Sequence, residues 1–294
     1  MNDMRRKIWL VSTEHLENEL WFRDDDDFRV GMNFVAMQAA CSPEVVILAF
    51  ILMSNHVHFV LTGTRKEVDA FICQFKKRYS VYYSARWGGK KFLRHNRVDI
   101  KEITDNDEAL ERAIAYVQMN CVAANICAHP SQYLWGTGNL FFNQKGNYAG
   151  TRLGDLSARS RKSLLHTNCN SLSMDWHIGP DGFVLPQEYA DVLAVEKVFR
   201  SPRRMNYFLS TSSKARKRIE ADERLPAFRD QTILASMPDL CRSLFGKEAF
   251  LELTDGEQAE FMRQLRFRFS ADIHQIARVC GLSYAEAARR MEEI

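Results

Sequence analysis

Val45-Val46-Ile47-Leu48-Ala49-Phe50-Ile51-Leu52-Met53 runs straight into Ser54-Asn55 and then His56-Val57-His58-Phe59-Val60-Leu61. Two apolar runs rich in β-branched and aromatic residues, separated by two turn-forming residues, predict a pair of buried strands joined by a tight turn. Residues i and i+2 of a strand share a face, so His56 and His58 point the same way while Val57 points the other. Two neutral imidazoles on one sheet face are a ready pair of ligands for a divalent ion. The plainer alternative is that each imidazole is satisfied separately by backbone or water.

Outward from this hairpin the pattern alternates. Ile8 to Ser12 reads as a strand, and Phe28 to Ala40 carries helical spacing through Val30, Phe34, Val35 and Met37. Glu67 to Trp87 is an amphipathic helix with Val68, Phe71, Ile72, Phe75 and Tyr79 on its apolar face, ended by Gly88-Gly89. Arg97 to Ile103 is a further strand candidate, and Thr104 or Asp105 caps a helix from Glu108 to Ala124. These elements predict an α+β fold of ferredoxin-like type, an antiparallel sheet with helices on one face. Pro130 to Ser173 breaks into Gly, Asn, Ser and Arg and reads as a linker or draped loop, and Trp176 to Leu185 as a short hairpin.

Net charge is only +3, so overall charge selects no nucleic-acid partner. Local clusters are more telling: Lys76-Lys77-Arg78 with Arg86, Lys90-Lys91, Arg203-Arg204 and Lys214 to Arg218, several interleaved with aromatic residues that can stack on bases. The acidic run Asp24 to Asp27 reads as a surface loop. Seven scattered cysteines without a Cys-x-x-Cys pair argue against a disulfide framework or a zinc knuckle. With no signal peptide and no membrane-length apolar run, the expectation is a cytoplasmic protein without a membrane partner.

In the helix after Thr104, Tyr116 and Asn120 stand at i and i+4 and so share one face. Facing the histidines, they would make a compact set: two imidazoles and an amide oxygen on a metal, with a phenol beside them. A metal on a phosphodiester neutralises charge and orients phosphorus for in-line attack. A phenol has a lower pKa than an alcohol, so a phosphotyrosine bond conserves energy and is reversible. Tyr79, Tyr82 and Tyr83 compete for the nucleophile role.

Asn55-His56-Val57-His58 after an apolar strand, followed by Tyr116-x-x-x-Asn120 on a later helix, resembles the single-tyrosine HUH transposases. Within them it is similar to the subgroup associated with repetitive extragenic palindromes (REP). Met53-Ser54-Asn55-His56-Val57-His58, Tyr116-Val117-Gln118-Met119-Asn120-Cys121-Val122-Ala123-Ala124 and Tyr133-Leu134-Trp135-Gly136 carry the likeness, which covers residues 1–145. The chain departs from the pattern at Ser54 and Cys121, where proline is usual, and at Gly136, where serine is common. The resemblance implies an HUH endonuclease core with metal ligands His56, His58 and Asn120, the nucleophile Tyr116, and Mg2+ or Mn2+ as cofactor. Gln118 is a weaker third ligand by helix geometry. It further implies a DNA transposase that cleaves and rejoins single-stranded or hairpin DNA through a 5′-phosphotyrosine. The alternative is a domesticated, non-catalytic nucleic-acid binder; a homodimer is left open.

The expected organisation is a catalytic domain at 1–145, a linker and hairpin at 146–185, and a helical DNA-binding region at 186–294. In the last, Ser270 and Ser283 read as N-caps, and Ile276-Ala277-x-x-Cys280-Gly281-Leu282-Ser283 has helix-turn-helix spacing, a plain helical hairpin being the alternative. DNA contacts are expected from Lys76, Lys77, Arg78, Arg86, Lys90, Lys91, Arg289 and Arg290, with His274 as a cap or phosphate contact.

Overall fold

The computed structural model describes residues 6–88, 93, 95–104, 106–143, 150–166, 171–212 and 228–292. Gly89, Lys90, Lys91, Asp105 and the basic cluster from Lys214 to Arg218 lie outside them. The first elements are β1 (Lys7–Thr13), α1 (Asp25–Cys41), β2 (Val46–Met53), β3 (His56–Gly63), α2 (Arg65–Trp87) and β4 (Val98–Ile103). The four strands form one antiparallel sheet in the order β2-β3-β1-β4. This is the βαββαβ arrangement of ferredoxin-like type that the alternating pattern predicts. Met53 pairs with His56 across the two-residue turn, and Ile51 and Ser12 flank His58 on its two sides.

One expectation changes. Helices cover both faces of the sheet, not one. Phe59 packs on Phe71 and Phe75 of α2 on one face. On the other, His58 meets Tyr116 of α3 (Asp107–Gln118). Burial from both sides is why β2 and β3 read as nearly unbroken apolar runs and not as an alternation. The cap of α3 is Asn106, whose side chain accepts from Ala109 N, in place of Thr104 or Asp105. The helix also stops at Gln118, and a separate turn, α4 (Asn120–Ala123), follows Met119.

The acidic run is not a surface loop. Asp24 caps α1, Asp25 to Asp27 form its first turn, and Asp27 is fully buried. Its carboxylate accepts from Arg23 N, Tyr82 Oη, Trp87 Nε1 and Arg86 Nη1. Burial pushes the Asp27 carboxyl above the usual carboxylate range, against the pull of these donors.

The described residues of 130–173 are packed as well. Leu52 N donates to Trp135 O, Phe50 N to Thr137 Oγ1 and Tyr133 Oη to Leu52 O, so this segment runs along the free edge of β2. A side chain at 136 would bring its Cβ within 2.6 Å of Phe50 O, which is why glycine stands there. Asp191 N donates to Ile47 O and closes the rest of that edge. Thr151–Arg152 (β5) pairs with His177–Ile178 (β6), and Asn33 of α1 holds the hairpin around Gly182 through Gly182 O and Val184 N. Helices α5 (Ala158–Leu165), α6 (Val192–Phe199) and α7 (Pro202–Thr211) complete the unit, with Arg204 of α7 clasping the buried Glu111 of α3. Val195, Phe199, Phe208 and Leu209 belong to the same core as the sheet. The expected boundary at 186 therefore does not separate two packing units; the first core extends to Leu209.

A second core gathers α8 (Asp230–Phe245), α9 (Asp255–Phe269), α10 (Ile273–Cys280) and α11 (Tyr284–Glu292) around Ile233, Phe261, Leu265 and Ile276. Gly281 takes the left-handed turn between α10 and α11, Leu282 packs beneath, and Ser283 Oγ accepts from Glu286 N. Ser270 ends α9 in the left-handed region, and the cap of α10 is Asp272. Among the described residues no helix is long and apolar enough to cross a membrane.

Asp27→Ala removes the carboxylate that receives Tyr82, Trp87 and Arg86 together. It is expected to lower the unfolding free energy by about 3 kcal/mol in urea titration, with Asp27→Asn costing less; an unchanged midpoint would show that the network contributes nothing.

Candidate metal centre and nucleophile

His56 and His58 are both buried, and both are held by their Nδ1 atoms. His56 Nδ1 lies 2.8 Å from Asn55 Oδ1, and Asn55 Nδ2 donates to Leu16 O at 2.7 Å. Because the Asn55 amide group is committed to Leu16, its oxygen is the acceptor and His56 Nδ1 carries the proton. The lone pair of His56 is thereby on Nε2. His58 Nδ1 is 2.8 Å from Ser12 Oγ on the neighbouring strand. Outer hydrogen bonds that fix ring orientation and tautomer are what metal-binding histidines use.

His15, which no sequence pattern marks, completes a cluster. It follows the end of β1, and its ligand atoms lie within 4.8 Å of those of His56 and His58. The loop that carries it is tied to the β2–β3 turn: Leu16 N donates to Asn55 O, and Trp21 N and Phe22 N both donate to Ser54 O. The only local hint is a histidine two residues past a strand that pairs with the His-x-His strand. The His15 ring lies face-on against His56, with centroids 3.6 Å apart and planes 12° apart. Parallel rings do not aim in-plane lone pairs at one ion, so His15 stacks here and would have to turn to ligate.

Asn120 lines the same cavity as His15 and His56. Its Nδ2 donates to the carbonyls of Tyr116 and Val117 at the end of α3, which leaves Oδ1 as the atom it can offer. Gln118 is buried in the core face of α3, and its amide atoms have no hydrogen-bond partner among the described residues. Two oriented imidazoles with an imidazole or amide oxygen as third donor fit a divalent cation. Such a nitrogen-rich set favours Mn2+ or a later first-row ion over Mg2+, which prefers an oxygen shell.

Tyr116 is half-buried, its ring edge-on to His58 at 5.6 Å and 79°. Burial raises its phenol above the ordinary tyrosine value, so the neutral hydroxyl is the resting form. The competing tyrosines stand on α2, across the sheet. Tyr79 is fully buried and donates to Trp21 O; Tyr82 donates to Asp27.

The basic residues divide. Arg86 is held by Asp24, Asp27 and Tyr82. Lys76 donates to Asn96 O, and burial lowers its pKa. Arg78 Nη2 lies 3.6 Å from Cys41 Sγ. Arg290 binds Gln258 and Glu286. Lys77 and Arg289 are exposed.

No protein-family model and no curated protein matches the sequence. Among solved structures, one of a REP-associated tyrosine transposase bound to a REP hairpin matches over 51% of this chain and 90% of its own, with TM-score 0.39 and 14% identity.

Mn2+ binding read by the loss of its EPR signal is expected to vanish in His58→Ala. In Asn55→Ala, which releases the His56 ring, it should weaken about 10–100-fold. Full Mn2+ affinity in both variants would remove the metal reading.

Proposed function

We propose that the chain is a metal-dependent single-stranded DNA endonuclease and strand transferase of the single-tyrosine HUH type. The observation that carries this is the edge-on contact between Tyr116 and His58, which brings a phenol from a later helix onto the sheet face that holds the histidine pair. His56 and His58, with Asn120 or His15, would hold the ion. A bound divalent ion supplies charge neutralisation and orientation at a phosphodiester.

The remaining steps belong to the chain's own residues. Asn55 keeps the lone pair of His56 on Nε2, and Ser12 holds the His58 ring through Nδ1. Tyr116 attacks phosphorus: the Tyr116 Oη–P bond forms and the bond from phosphorus to the 3′-oxygen breaks. The phenolic proton is given up to solvent, and the departing 3′-oxygen takes one, so the products are a 5′-phosphotyrosine and a free 3′-hydroxyl. Attack by another 3′-hydroxyl reverses the step and joins strands without an external energy source. His58 and Tyr116 meet within one chain, so this constellation does not require the homodimer left open by the sequence. The exposed Lys77 and Arg289 are proposed phosphate contacts, as are Lys90 and Lys91; for Arg78, Arg86, Lys76 and Arg290, DNA contact would compete with the internal partners already described. Reading the turn between α10 and α11 as a helix-turn-helix, with duplex binding by it, is part of the same proposal.

An end-labelled hairpin oligonucleotide with a single-stranded flank, incubated with Mn2+ and run on a denaturing gel, is expected to give a covalent band. Tyr116→Phe should lose that band while retaining a native-gel shift. An adduct that persists in Tyr116→Phe refutes the nucleophile assignment; a native shift with no adduct from the unaltered chain identifies a non-catalytic binder instead.

A further inference from the structure

The helical unit built on the second core does not merely sit beside the sheet. Arg229 forms an ion pair with Asp25 at 2.7 Å, and its guanidinium lies over the rings of Phe28 and Trp135. Gln231 donates to Phe22 O at 2.7 Å. This docking frames an open cleft of about 420 Å³ whose one wall holds His15, His56 and Asn120 and whose other holds Arg229, His274 and Arg278. Its volume falls within the roughly 300–1,000 Å³ of small-ligand sites.

Each wall carries a stacked ring pair. His15 lies on His56, and His274 lies on Tyr284 with centroids 4.5 Å apart and planes 25° apart. The far wall is set before any ligand arrives. Asp230 is nearly fully buried and receives Gln275 Nε2 at 2.8 Å and Arg278 Nε at 3.2 Å, while Gln275 Nε2 also donates to Phe228 O. Planar rings, oriented guanidinium groups and an amide oxygen are what an unstacked base and its phosphate engage. A duplex, whose bases are stacked on each other, has no base to place there.

We propose that this cleft is a nucleotide subsite, in which one unpaired nucleotide beside the scissile phosphate places its base against His274 and its phosphate towards Arg229 and Arg278, sharing these guanidinium groups with Asp25 and Asp230. The subsite rests on the DNA-processing reading of the histidine centre and adds to it a recognition wall supplied by the helical unit. It makes His274 a specificity-determining residue.

The test uses the full chain with each of the four deoxynucleoside 5′-monophosphates and with inorganic phosphate, by calorimetry in the presence of Mn2+. At least one monophosphate should bind ten times tighter than phosphate. His274→Ala should reduce that affinity about tenfold, within the range for loss of one base–aromatic stack, and His274→Phe should restore it. Thermal melts of both variants report whether they fold. Phosphate binding as tightly as every nucleotide, or a folded His274→Ala with unchanged nucleotide affinity, overturns the subsite. The hairpin adduct assay separates the two levels. Adduct formation without His274-dependent nucleotide binding removes the subsite and leaves the tyrosine reading standing. His274-dependent binding without an adduct does the reverse.

Discussion

The two-residue turn at Ser54–Asn55 is the constraint on which the histidine centre depends. It sets the register in which Met53 faces His56 and Ile51 faces His58. A slip of one residue would carry both imidazoles into the α1 and α2 core and Val57 into the site. The turn also holds the loop after β1: Ser54 O accepts two backbone amides, and Asn55 exchanges hydrogen bonds with Leu16 through both its backbone and its side chain. The same asparagine orients His56. Register, loop position and imidazole tautomer are therefore one structural event.

The second organising feature is the use of both sheet faces for different ends. The face towards α1 and α2 is a dry aromatic core, built from Trp21, Phe22, Phe28, Phe59, Phe75 and Tyr79. Its rim consumes charge internally, since Asp24 and Asp27 bind Arg86. The face towards α3 carries the polar site, and α3 is itself anchored from behind where the exposed Arg204 pairs with the buried Glu111. Tyr116 reaches His58 because that helix is held firmly at its midpoint.

Much of the topology was legible because it is written in local period. Alternation between strand-like and helical segments located β1 to β4, α1 and α2, and the i, i+2 rule put His56 and His58 on one face. The end of α3 was misjudged because the helical spacing from Leu110 to Cys121 continues through Met119, whereas the chain there breaks into a new turn at Asn120. Residues 130–173, rich in loop-forming types, read from sequence as a linker or a draped loop because glycine signals a turn far more often than a close approach. At Gly136 it serves the approach to Phe50 O. The basic stripe on α2 reads from sequence as a set of DNA contacts because partners distant in sequence, such as Asp27 for Arg86 and Asn96 for Lys76, leave no local trace.

By itself the sequence determined the order of strands and helices, the pairing of the two histidines on one strand face, and the presence of a tyrosine–asparagine pair one helical turn apart, because each follows from residue spacing along a regular backbone. Only the tertiary structure decided that α3 crosses to the histidine face, that His15 joins them, and that α10 brings His274 to the opposite wall. These placements rest on contacts between residues about 40 to 220 positions apart, and no local period encodes such a contact.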